Sequence, residues 1–171
     1  SCGGAATQPR RMRGDTVASM RIALLLFERI TALDAVGPYE VLQRMPGAEV
    51  TFVGKRRGIV YTDTKVLGLE VTASLAELAD PDVIVIPGGF GARALERDDE
   101  VLDWLRAAHP TAAWTTSVCT GSLVLGAAGL LTGLEATTHW SMLERLADYG
   151  ATPVSRRVVE QGTVVTAAGV S

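Results

Sequence analysis

Cys119 sits inside Ser117-Val118-Cys119-Thr120-Gly121, a small-x-nucleophile-x-Gly pattern with sulfur where the serine oxygen of a nucleophile elbow would stand. Thr115 to Val118 are short and partly β-branched, suited to a buried strand, and Gly121 to Gly129 is small and apolar on every side, as in a helix buried all round. A strand that turns sharply into a helix lifts the turn residue above the sheet and aims the first helical N–H groups at what it attacks. The same helix end favours the thiolate, the reactive form of cysteine. A free cysteine is often a buried packing residue. Here the flanking glycine and the strand-to-helix switch favour the nucleophile.

Other residues could serve this sulfur. Asp34 lies in Leu33-Asp34-Ala35-Val36-Gly37-Pro38, shortly after the apolar run Ile22 to Phe27, and reads either as a helix N-cap or as a carboxylate facing the interior. Gly88-Gly89-Phe90-Gly91 follows another apolar run, Asp82 to Pro87. It matches neither the P-loop nor the dinucleotide fingerprint. Its glycines permit close backbone approach, so Gly88 and Gly89 are expected to bring N–H groups near the sulfur as half of an oxyanion site. His139 falls on an expected strand from Ala136 to Trp140, as a core histidine or a catalytic one, and His109 beside Pro110 reads as a surface residue. Two separated histidines and one core cysteine make no metal cluster, so no structural metal is expected.

The elements that must position these residues alternate between strand and helix. Arg21 to Phe27, Ala48 to Val53, Asp82 to Pro87 and the stretch before Cys119 read as buried strands. Ile59 to Tyr61 and Leu69 to Val71 read as short strands, and Val154 to Glu160 with Thr163 to Ala167 as the last two. Helices are expected after Pro38, from a Ser74–Glu77 capping box, over Asp98 to Ala108, and from a Ser141 cap to Tyr149, closed by Gly150. The alternation implies an α/β fold, a doubly wound mostly parallel sheet sandwiched by helices.

The chain has 171 residues, 47% of them hydrophobic, with a net charge of −3. That is one domain with a real core. Arg10, Arg11 and Arg13 against Asp15 give the first twenty residues +2, leaving the rest at −5, which argues against a nucleic-acid surface. Residues 1–20 read as a leader or added extension and residues 21–171 as the domain. Cys2 and Cys119 make no disulfide framework, so a reducing, cytoplasmic setting is expected, with no membrane association.

Ser117-Val-Cys119-Thr-Gly-Ser-Leu-Val-Leu-Gly-Ala-Ala-Gly-Leu-Leu131, followed by Ala136-Thr-Thr-His139-Trp140, closely resembles isocyanide (isonitrile) hydratases of the ThiJ/PfpI superfamily. Leu33-Asp34-x-x-Gly37-Pro38 and Ile86-Pro87-Gly88-Gly89 match in order, so the resemblance spans about residues 21 to 171. It implies a flavodoxin-like, class I glutamine-amidotransferase-like fold, a homodimer, a small-molecule substrate and cofactor-free hydration of isocyanides to N-substituted formamides. It also implies Cys119 as nucleophile, Asp34 as acid/base, Thr120 lining the site with its hydroxyl and backbone N–H, and Gly88 and Gly89 on the loop side. Peptidases of the superfamily carry His where this chain has Thr120. Its glyoxalases and deglycases use Glu where this chain has Asp34, and a histidine that would correspond to His139. A glyoxalase or deglycase, a redox-sensing cysteine protein, or the ligand-sensing domain of a transcription regulator remain alternatives. Members continue past Gly169-Val170-Ser171 into a helix beside the nucleophile, so a missing C-terminal helix is expected.

Overall fold

A computed structural model of the protein describes residues 18–170. Residues 1–17 of the expected leader lie outside them, and its last residue, Met20, already belongs to the first strand, β1 (Met20–Leu25). Helix α1 (Ala32–Leu42), β2 (Ala48–Gly54), the hairpin β3 (Gly58–Tyr61) and β4 (Gly68–Val71), and the two-residue β5 (Ala73–Ser74) follow. Then come β6 (Val83–Ile86), α2 (Ala92–Leu95), α3 (Asp99–Ala108), β7 (Trp114–Val118) and α4 (Gly121–Ala127). Short β8 (Glu135–Ala136) and β9 (Thr152–Pro153) flank a 3-10 helix over Trp140–Tyr149, and β10 (Val158–Gln161) with β11 (Val164–Ala167) end the described chain.

Seven strands form the central sheet in the order β10-β11-β7-β6-β1-β2-β5. Every pairing is parallel except the edge pair β10–β11. The chain is therefore the doubly wound, mostly parallel α/β sandwich that the alternation implies. Ile22 to Leu25 and Val83 to Ile86 are buried throughout, which is why these strands read as unbroken apolar runs rather than alternating ones. The order reverses between β1 and β6: β2 lies on one side of β1, while β6 and β7 lie on the other. In open α/β sheets such a switch point leaves a crevice beyond the strands' C-terminal ends. Asp34 follows β1, Gly88 follows β6 and Cys119 follows β7, so that crevice collects all three.

Several expected boundaries shift. Helix α1 begins at Ala32 and carries Pro38 in its interior, so Asp34 lies in the first helical turn rather than in a loop. Thr31, not Asp34, is the N-cap residue; its carbonyl accepts the Asp34 N–H at 3.1 Å. Proline has no N–H to offer the carbonyl four residues back, which softens α1 just where it passes the crevice. The strand expected over Ala136 to Trp140 stops at Ala136. Side chains capture the backbone beyond it: Thr137 N–H donates to Thr166 Oγ1 at 3.0 Å, and Thr138 Oγ1 donates to the Cys119 carbonyl at 2.9 Å. The next helix is 3-10 rather than α, and His139 rather than Ser141 is its cap, accepting the Ser141 N–H at 3.3 Å. Gly150 ends it in the left-handed conformation expected of a C′ glycine. The Ser74–Glu77 box and the Asp98 start of α3 stand where the pattern put them.

Candidate active site

Cys119 has φ +57, a left-handed conformation that costs a non-glycine residue energy and occurs at sites where packing enforces it. The enforcement is visible on each side of the residue. Its N–H donates to the Ala167 carbonyl at 2.9 Å, extending the β7–β11 pairing by one rung. Its carbonyl accepts Thr138 Oγ1 at 2.9 Å and Ser122 Oγ at 3.3 Å, both from buried hydroxyls. The sharp turn expected from the sequence is thus present, and the sulfur emerges above the sheet, 7% exposed.

Ile86 pairs with Ser117, so the chain leaves β6 alongside the place where it leaves β7. Gly88 then lies so close that a Cβ there would stand 2.8 Å from Cys119 Cβ and 2.6 Å from Thr120 N. Only glycine fits this approach. Its N–H donates to Asp34 Oδ2 at 3.2 Å, and the Gly89 N–H donates to Thr120 Oγ1 at 3.1 Å. The expected oxyanion role meets a different use here: both N–H groups are taken by protein acceptors. The loop orients the carboxylate and the hydroxyl around the sulfur.

The Asp34 carboxylate is 2% exposed and lies near enough to the Cys119 thiol that each group shifts the other's pKa. Burial raises its pKa, while the Gly88 N–H and the thiol pull the other way. The thiol is pushed up to about 11, first by burial and next by the Asp34 charge; the Thr120 N–H and hydroxyl oppose both. The N–H at the helix start does favour thiolate, but burial and the carboxylate outweigh it. Both groups are thus held above their ordinary pKa, which disfavours charge on the two at once. The Thr120 hydroxyl also donates to the Gly89 carbonyl at 3.3 Å. It has one proton, so serving the sulfur means releasing that long bond.

A cavity of about 260 Å³ opens over this group, lined by Cys119, Thr120, Phe90, Leu123, His139 and Met142 among others, and its surface is mainly apolar. Phe90 is exposed, and the Arg29 guanidinium stacks 5.3 Å from its ring centroid. Asp63 fixes the same rim, accepting Thr31 Oγ1 at 2.8 Å and the Phe90 N–H at 3.3 Å. His139 is half-buried at the pocket edge rather than within a buried strand. Its Nδ1 accepts the Ser141 N–H and lies 2.8 Å from Ser141 Oγ, so the neutral ring carries its proton on Nε2. His109 pairs with Thr115 Oγ1 at 2.8 Å, away from the pocket. Among the described residues no group of His, Cys, Asp and Glu could hold a metal, and no helix is long and apolar enough to cross a membrane.

Sequence reasoning missed two features. Gly169 packs behind the nucleophile, where a Cβ would stand 2.5 Å from Cys119 Cβ. At the far end of the pocket, Arg145 grips the buried Glu96 carboxylate through two nitrogens, at 3.2 and 2.6 Å, and Tyr149 O–H donates to the same carboxylate. A glycine with φ +75 just after the last strand was the available signal for the first. Nothing local signals the second, whose partners are 49 and 53 residues apart.

The chain is 42% identical over 153 residues to an isonitrile hydratase of Pseudomonas putida, covering 90% of this chain and 67% of that one. Its fold superposes on a ThiJ/PfpI family protein from Pseudomonas syringae with a TM-score of 0.85 at 35% identity, over 98% of this chain and 70% of that one. DJ-1beta of Drosophila melanogaster gives a TM-score of 0.80 at 26% identity, over 88% and 82%. Residues 20–171 match the DJ-1/PfpI family throughout. The chain belongs to the DJ-1/PfpI family.

Proposed function

We propose that this chain hydrates isocyanides to N-substituted formamides, with Cys119 as nucleophile and Asp34 as the acid/base. The observation that carries the reading is the buried Cys119 in the lining of a largely apolar pocket, with the buried Asp34 carboxylate, held by the Gly88 N–H, close enough to shift its pKa. The two loop N–H groups that could have stabilised an oxyanion are already taken by Asp34 and Thr120. An isocyanide brings no oxygen for them to hold. Acyl transfer and peptide cleavage need such donors. The 42% identity to an isonitrile hydratase supports the same substrate class.

A proton shared by Asp34 and Cys119 defines the chemistry. Cys119 sulfur attacks the terminal isocyanide carbon as the proton held between Asp34 and the thiol passes to that carbon, giving a thioimidate, R–N=CH–S–Cys. Asp34, now ionised, takes a proton from water as its oxygen adds to the same carbon, and passes that proton to the nitrogen. The carbon–sulfur bond breaks and the hydroxyl proton returns to the Asp34–Cys119 pair. One isocyanide and one water have become one N-substituted formamide, with no redox change. The Thr120 N–H and hydroxyl support sulfur whenever it carries charge. We further propose that the protein works as a homodimer on small, diffusible substrates.

Formation of formamide from a simple alkyl or aryl isocyanide, compared between this protein and Cys119→Ala, tests the reading. Turnover abolished by the substitution is the expected result. A folded protein that forms no formamide, or a Cys119→Ala variant that retains the rate, overturns it.

A further inference from the structure

Beside the thiol pocket lies a second hollow of about 700 Å³, lined by Arg93, Ala94, Glu96, Arg97, Arg145 and Tyr149. Arg93, Glu96 and Arg145 line both spaces, so the two adjoin. Three guanidinium groups thus face one carboxylate at the end of the pocket away from the sulfur. Glu96 is already spent: its side chain is 5% exposed and is held by Arg145 and Tyr149 together. Asp148 reaches Arg145 only as the last and weakest influence. Arg93 and Arg97 are exposed, and their side chains make no ion pair or hydrogen bond among the described residues. Arg145 spends two nitrogens on Glu96, and its side chain remains 34% exposed.

This excess of positive charge stands out in a chain of net charge −3. Elsewhere Arg21 is answered by Asp80 and Asp82, Lys55 by Asp98, Arg56 by Glu100 and Arg57 by Glu77, while Arg29, Lys65 and Arg157, like Arg93 and Arg97, have no carboxylate partner among the described residues. Of these unpaired cations, Arg93 lines the reaction pocket and Arg97 the hollow beside it, both with Arg145, which suits them to meet an anion. Guanidinium groups bind carboxylate and phosphate oxygens through paired N–H donors.

Building on the isocyanide reading, we infer that the preferred substrates carry an anionic oxygen group, carboxylate or phosphate, at the end opposite the isocyanide. The isocyanide carbon lies at Cys119, the linker along Phe90, Leu123 and Met142, and the anion between Arg93, Arg97 and Arg145. The Glu96–Tyr149 pair holds Arg145 at a fixed edge of the pocket, and Arg93 in α2 and Arg97 two residues beyond its end line the adjoining hollow.

The test compares kcat/KM for a series of n-alkyl isocyanides with ω-carboxyalkyl and ω-phosphoryl isocyanides of matching length. Charge-assisted hydrogen bonds of this kind favour the anionic member by about tenfold to a hundredfold, chiefly through KM. The double variant Arg93→Gln/Arg97→Gln lowers that ratio toward one, as does high salt. Arg21→Gln, at the opposite end of the sheet, removes the same kind of charge and leaves the ratio in place. Preference for either anion over the neutral series supports the inference. Equal kcat/KM for all three series, or a preference that survives the double variant, overturns it. Binding of an N-(carboxyalkyl)formamide to Cys119→Ala protein gives a readout independent of turnover. Binding that is weakened in the double variant supports the anion site even if no isocyanide is hydrated, in which case the hydratase reading fails alone. No binding overturns the anion site.

Discussion

Replacing Asp34 by asparagine keeps the shape of the site and removes its charge, which separates two effects that a reactive cysteine ordinarily combines. The Cys119 thiol is pushed from an ordinary 9.0 up to about 11, a hundredfold loss of acidity worth roughly 3 kcal/mol. Burial is the larger cause and the Asp34 charge the second. In Asp34→Asn the repulsion disappears while the burial and the Thr120 N–H and hydroxyl stay, so the thiol pKa falls. At pH 8 the variant then holds more thiolate than the native protein and reacts faster with iodoacetamide. Hydration nevertheless slows by about 10²–10⁴-fold, because the proton for the isocyanide carbon and the base for water have both been lost. Ultraviolet thiolate titration and alkylation rates follow the first quantity, and formamide release follows the second. A more nucleophilic but less active enzyme is the expected combination. Alkylation that slows or stays constant, or hydration within a few-fold of native, refutes the assignment of Asp34.

The same substitution has a signature in stability. Burial raises the Asp34 pKa in the folded chain above its unfolded value of 3.8. The folded state thus holds the proton more tightly, and stability from this group is full below pH 3.8 and lost as pH rises through the folded value. Asp34→Asn escapes that loss, so its Tm exceeds the native one at pH 8 and the gap closes toward pH 4; a gap that widens on acidification contradicts this. Thr138→Val leaves the Cys119 carbonyl with only the 3.3 Å Ser122 bond. It costs about 1–3 kcal/mol in denaturant unfolding and lowers kcat more than it raises KM, with Thr138→Ser restoring both. Gly169→Ala forces a Cβ to 2.5 Å from Cys119 Cβ at a φ of +75, so both Tm and activity fall, and native-like values of both would show that the chain around Gly169 does not brace the nucleophile.

Much of the fold was legible because the parallel strands are buried on both faces and so appear as unbroken apolar runs, as in Ile22 to Leu25 and Val83 to Ile86. Cys119 was legible for a related reason: a nucleophile at a strand-to-helix turn needs small neighbours, and Gly121 marks the spot. Asp34 could be found as a residue but not placed. Local rules read Pro38 as a helix start, whereas contacts across the crevice, including the Gly88 N–H from 54 residues away, hold the helix intact around it. His139 was misplaced because hydroxyls from Thr138 and Thr166 win the backbone from strand pairing. The Glu96–Arg145–Tyr149 group left no pattern at all, since long-range ion pairs depend on which helices meet. The described residues bring Asp34, Gly88, Cys119 and Thr120 to one crevice, while the leader's first seventeen residues lie outside them.

The most direct measurement for the central claim is mass analysis of the protein stopped during turnover of a simple isocyanide. A covalent thioimidate predicts a fraction of chains heavier by one isocyanide, with the added mass on the peptide bearing Cys119. Steady formamide production with Cys119 unmodified throughout would contradict it.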